Sequence, residues 1–189
     1  ADLSGLLEQL NLPPAVVEYV RKNQKAIYIV LSVIAAAIIF WSLYGSYVEN
    51  KIAKSSSALA IAMKAEPDSK VTALQKVVDD FSGTDSALWA KIEIAQIYIS
   101  EKEYEKSLNS YSEVRQELSD SDPLYALVTF GIAQAQEALE KFDSAIQEYS
   151  RIKSIKGYEN IGYNGTARIY EVQEKYSDAV RELEEYQGV

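Results

Sequence analysis

The sequence predicts an all-α chain: a single N-terminal transmembrane helix followed by an α-solenoid of about three to four helix pairs. Three observations lead there. Ala26–Val48, AIYIVLSVIAAAIIFWSLYGSYV, carries no charge. From Pro67 onward the chain reads as helices separated by short turns. Four segments, KVTALQKVVDDF (70–81), YEKSLNSYSEVR (104–115), FDSAIQEYSRIK (142–153) and YSDAVRELEEYQ (176–187), repeat one pattern.

The apolar stretch is expected to span a membrane over residues 26–48. As an α-helix it reaches about 35 Å, enough to cross a hydrocarbon core of about 30 Å with some tilt. Tyr28 stands at one end and Trp41, Tyr44 and Tyr47 at the other, where amphipathic rings suit the headgroup layer. Arg21, Lys22 and Lys25 precede the stretch, against Lys51 and Lys54 after it. That asymmetry places the N-terminus in the cytoplasm and the C-terminal domain outside. The run ends in bulky FWSLY rather than a small-residue cleavage site, so it reads as an uncleaved signal anchor.

Residues 1–25 are expected to form a cytoplasmic tail with short amphipathic helices. Leu3, Leu6, Leu7 and Leu10 share one side of the first. Pro13 and Pro14 can open a second, because proline is tolerated in a first turn, with Val16, Val17 and Val20 as its apolar side. Such faces suit either the membrane surface or a docked partner.

Residues 49–189 form the soluble domain, long enough to bury a core. They hold 25 acidic and 16 basic side chains, so the whole net charge of −9 lies here. An acidic domain without a basic stripe disfavours nucleic acid. The sequence has no cysteine and no histidine. Disulfides, Cys/His metal sites and Ser-His or Cys-His nucleophiles are therefore ruled out. The carboxylates are interspersed with Lys and Arg at helical spacing, as on a solvated face. No catalytic, cofactor-binding or metal-binding residue and no small-molecule substrate is expected.

Past the apolar stretch there is no Gly or Pro until Glu66-Pro67, so the helix can run on, with Ser55-Ser56-Ser57 as a candidate bend. Pro67-Asp68-Ser69 is expected to stop it and to cap the next helix.

Each repeated segment contains a small residue followed by an aliphatic one: Ala73-Leu74, Ser107-Leu108, Ala145-Ile146 and Ala179-Val180. The small residues are 34, 38 and 34 positions apart. Tyr104, Phe142 and Tyr176 stand three residues upstream of the last three, and Tyr111 and Tyr149 four downstream of two of them. Ala95, Ala133 and Ala167 lie twelve residues before the same three, each in the preceding helix. This is the tetratricopeptide repeat pattern, whose period is about 34 residues. Small residues let paired helices approach, and aromatics fill the space beside the crossing. Residues 86–189 match three repeats, and 54–82 a degenerate first unit led by the continuation of the membrane helix. The repeats diverge from one family consensus at Lys91, Thr129 and Tyr163, where it carries Trp. The longer middle gap falls at Glu117–Pro123, ELSDSDP, where an insertion in a turn costs little.

In such arrays the first helix of each pair lines the concave face. Carried over by register, the groove residues are Trp89, Ile92, Glu93 and Gln96, then Leu127, Phe130, Gly131 and Gln134, then Ile161, Asn164, Gly165 and Arg168. Of these, Trp89, Ile92, Gln96, Phe130, Gln134, Asn164 and Arg168 are the candidate partner-binding residues. Arg168 is expected to pair locally with Glu171 or Glu174, so no clamp for a terminal carboxylate is expected. The groove suits an extended or helical peptide.

The layout, a short tail, one span ending in FWSLY, and a repeat domain containing VVDDFSGTDSALWAKIEIA, resembles the bacterial inner-membrane tetratricopeptide-repeat-like family that is ancillary to the Sec translocon. The resemblance implies a periplasmic domain that contacts the translocon, exported client polypeptides or their periplasmic chaperones, with no enzymatic activity. The alternative is a structural or scaffolding subunit of a cell-envelope membrane complex. One stoichiometric co-purifying partner favours that alternative; many substoichiometric clients favour an interaction module.

Overall fold

A computed structural model describes residues 14–187, which form helices and no strands. The helix expected within residues 2–10 lies outside the described residues. The helices are α1 (Pro14–Lys22), α2 (Gln24–Ala62), α3 (Pro67–Asp80), α4 (Asp85–Ser100), α5 (Tyr104–Glu117), α6 (Tyr125–Ala138), α7 (Phe142–Lys153), α8 (Glu159–Val172) and α9 (Tyr176–Gln187). The chain divides into two compact units, the first ending at Lys51 and the second beginning at Ile52, a boundary that falls within α2.

In the first unit, α1 opens on Pro14, whose missing N–H costs nothing in a first turn. The charge-free stretch lies in α2, the one helix among the described residues long and apolar enough to cross a membrane. Its apolar side chains are uncovered: Phe40 is 70% exposed and Trp41 80%. Uncovered apolar side chains in such a run suit a membrane or a partner surface.

The second unit repeats one arrangement: residues 52–62 pair with α3, α4 with α5, α6 with α7, and α8 with α9. From α3 onward each helix contacts the next in sequence, and the leading helices α4 and α6 also touch. The serine run named as a candidate bend lies inside α2, which continues to Ala62; Ser55 there is buried and donates to the Ser86 hydroxyl on α4 at 3.1 Å.

Three core clusters result, each shared by consecutive pairs. Ala62, Leu74, Val77, Ala90 and Ile94 join the first pair to the second. Ile92, Ala95, Tyr111, Val114, Val128 and Ile132 join the second to the third. Ala133, Ala145, Tyr149, Ile152 and Ile169 join the third to the fourth.

The recurring small residues sit at the crossings. Ser107, Ala145 and Ala179 are buried, and the Ser107 hydroxyl donates to the Ala95 carbonyl at 2.8 Å, twelve residues earlier. Tyr111 and Tyr149 are buried too, each ring lying on a glycine of the next pair. A Cβ on Gly131 would stand 2.4 Å from the Tyr111 ring, and one on Gly165 2.4 Å from Tyr149. Only glycine admits an aromatic ring that close.

The turns within the last three pairs are also alike. Lys102, Glu140 and Glu174 take the left-handed conformation, with φ of 64°, 56° and 60°. The next amide of each turn reaches back to the carbonyl of Tyr98, Gln136 or Tyr170 at 2.8 Å. These bonds close the exposed helix ends in the Schellman manner. One boundary differs from expectation. Asp68 and Ser69 do not cap α3: the cap is Glu66, without a side-chain bond, and Pro67 supplies the first turn. Thr84 does cap α4, accepting the Ala87 amide at 3.3 Å.

Candidate functional site

The C-terminal ends of α4, α6 and α8, with the first residues of α5 and α7 and Glu140 in the turn before α7, enclose a cleft of about 590 Å³. Ile99, Tyr104, Phe130, Phe142 and Val172 give it apolar and aromatic walls, and Gln134, Glu137, Glu140 and Arg168 give it polar groups. Three consecutive helix pairs contribute to it. A smaller apolar cleft of about 250 Å³, lined by Ala58, Ile61, Ala73 and Phe81 among others, lies within residues 58–81.

Two polar groups of the larger cleft, Glu137 and Arg168, form a closed network with Tyr149 beneath them. Arg168 Nε and Nη2 donate to Glu137 Oε1 and Oε2, each at 2.7 Å. The Tyr149 hydroxyl donates to Glu137 Oε2 at 2.8 Å and accepts from Arg168 Nη2 at 2.9 Å. A two-pronged guanidinium–carboxylate pair fixes both side chains more firmly than a single contact. Burial pushes the Glu137 carboxyl up, but the hydrogen bonds from Arg168 and Tyr149 outweigh it and hold it below the usual range. Burial, then the adjoining carboxylate, pushes the Tyr149 hydroxyl far above its ordinary value. The bond to Glu137 raises Arg168 further. All three groups therefore keep their charge states across neutral pH. The equivalent tyrosine one pair earlier, Tyr111, donates to Gln96 Oε1 at 2.9 Å. Burial, with Glu93 second, pushes its hydroxyl up to about 12.

Of the residues assigned to the groove by register, Phe130, Gln134 and Arg168 line this cleft. Phe130 also packs against the Tyr149 ring, centroids 6.4 Å apart. Trp89 is 44% exposed but does not line the cleft. Gln96 and Asn164 are exposed as well. Ile92 is a correction: it is 5% exposed and packs in the core with Tyr111 and Val128. The leading helix of a pair is apolar toward its own partner and toward the next pair, and Ile92 faces that packing. Gly131 and Gly165 likewise lie beneath tyrosine rings rather than open to a ligand. The partner of Arg168 is Glu137, from the preceding pair, and not Glu171 or Glu174.

Register reasoning misses Ile99, Glu137, Glu140 and Val172. Tyr104 and Phe142 are visible in the sequence as the aromatics before each small residue, but that signal marks packing and not the cleft edge. Nothing local distinguishes Glu137 from the other glutamates.

The chain matches the family model for the tetratricopeptide repeat-like domain over residues 18–161. No curated protein is similar enough to match. Among solved structures, one of a Podosopora anserina protein described as a kinesin light chain, with nearly identical TPR-like repeats, is 16% identical. Its TM-score is 0.59, covering 90% of this chain and 91% of that one. A MamA structure (MSR-1) is 16% identical with a TM-score of 0.53, covering 67% and 69%. At such identities the likeness is one of fold, and the fold is a scaffold for protein–protein contacts. Its period, its tyrosine–glycine crossings and its matched span agree: the chain belongs to the tetratricopeptide repeat-like domain family.

Proposed function

We propose that the chain is a membrane-anchored protein–protein interaction module of the bacterial inner membrane. In this reading α2 spans the bilayer, and the solenoid stands on the periplasmic side and receives exported polypeptides or their chaperones near the Sec translocon. The observation that carries it is the uncovered apolar length of α2 in a chain that also holds a cleft built from three helix pairs. Water does not solvate a surface such as Ile38, Phe40, Trp41 and Leu43 cheaply, whereas lipid does. Three basic residues before the stretch, against two after it, support a cytoplasmic N-terminus. Anchoring raises the effective concentration of the cleft for chains emerging at the same membrane.

The test uses the natural absence of cysteine. Ser4→Cys and, separately, Lys102→Cys are labelled in intact and permeabilised cells with a membrane-impermeant maleimide. Labelling of position 102 from outside, with position 4 protected until permeabilisation, supports the reading. The reverse pattern places the array in the cytoplasm and ends the export role. A photo-crosslinking side chain at Gln134 then reports what enters the cleft, and recovery of translocon, chaperone or exported chains is the expected result.

A further inference from the structure

We propose that the cleft selects cationic segments: a stretch of partner polypeptide with a large apolar or aromatic side chain beside a lysine or arginine. This rests on the reading of the cleft as a protein-binding site and names the chemistry it accepts.

The apolar part follows from the walls. Ile99, Phe130, Phe142 and Val172 bound a volume of about 590 Å³, room for one or two large side chains. Val172 is 61% exposed, so its apolar surface is there to be covered.

The charge part follows from which ions are already engaged. Three charged residues line the cleft: Glu137, Glu140 and Arg168. Arg168 and Glu137 satisfy one another through two 2.7 Å bonds. An acidic ligand would have to displace Glu137, which is held by Tyr149 as well. Lys141, next to the rim, is taken by Glu105 at 3.0 Å. Lys106, on the first turn of α5, is taken by Glu103. Glu140 makes no ion pair among the described residues and stands exposed at the rim. The left-handed turn at φ 56° fixes its backbone immediately before the helix that carries Phe142. Among the described residues that line it, the cleft therefore offers a ligand one uncompensated carboxylate and no free cation. The surrounding domain, with 25 acidic and 16 basic residues, adds an attractive field for cations.

The experiment measures fluorescence anisotropy on the full chain in detergent. Two labelled peptides are used, each centred on one Phe, flanked by lysines in one and by glutamates in the other. The lysine peptide is expected to bind about tenfold more tightly, a gap that narrows as salt is raised. Glu140→Gln weakens the lysine peptide about threefold, Phe130→Ala weakens it about tenfold, and Lys102→Gln leaves it unchanged. Circular dichroism confirms that each variant is folded. Equal binding of the two peptides, or no effect of Glu140→Gln, overturns the charge selectivity and leaves a protein-binding cleft in place. Failure of both peptides to bind overturns the protein-binding reading and this inference with it.

Discussion

Arg168 holds both carboxylate oxygens of Glu137 at 2.7 Å, 31 positions away and one helix pair earlier. The pair ties α8 to α6 across the cleft wall. Half of the Arg168 side chain is exposed, so solvent screens part of the attraction. A double-mutant cycle with Arg168→Met and Glu137→Gln should return a coupling of about 0.5–1 kcal/mol by chemical denaturation.

The same carboxylate sets an acid dependence. Its folded pKa lies below its unfolded one, so its contribution is complete above the ordinary carboxylate range. It is lost as pH falls through the folded value. Denaturation midpoints of the natural protein should decline on acidification more steeply than those of Glu137→Gln. Parallel curves would remove Glu137 from the account.

At the alkaline end the marker is Tyr111. With its folded pKa pushed up to about 12 from an ordinary value near 10, its stabilising effect is complete below about pH 10. That effect fades as pH rises toward 12. The ultraviolet difference between the natural protein and Tyr111→Phe should show tyrosinate appearing near 12, and only after unfolding should it move toward about 10.

The tyrosine–glycine crossings predict costly alanines. Gly131→Ala and Gly165→Ala would put a methyl 2.4 Å from a buried ring with no room to retreat. Each should destabilise by about 1–3 kcal/mol in denaturant titrations. Gly45→Ala meets no atom within 4 Å and should leave the second unit unaffected.

The left-handed turn residues predict the opposite sign. Lys102 and Glu140 occupy a backbone region that glycine enters without penalty. Lys102→Gly and Glu140→Gly should each raise stability by about 0.5–1 kcal/mol, read as a higher melting temperature. The two variants separate in binding: Glu140→Gly should lose affinity for the lysine peptide and Lys102→Gly should not.

Much of this fold is legible in the sequence because its repeat is a packing requirement. Ser107, Ala145 and Ala179 recur because two backbones must approach there, and all three are buried. Tyr111 and Tyr149 recur because a ring fills the space beside each crossing. The cleft is less legible. Both sides of a leading helix are apolar, since it packs on its own partner and on the next pair. Periodicity alone therefore does not separate Trp89, which is exposed, from Ile92, which is not. Sequence proximity also misleads for ions: Glu171 is one turn from Arg168, yet stacking delivers Glu137.

The three core clusters, each drawing its side chains from consecutive pairs, carry a consequence for how the array comes apart. No pair owns a complete interior. Removing α8 and α9 takes Ile169 from the last cluster and strips cover from Ala133, Ala145, Tyr149 and Ile152 in the pair that remains. The smallest severable piece is thus a neighbouring couple of pairs, and unfolding that begins at either end should advance inward like a zip rather than stop at the first turn it meets.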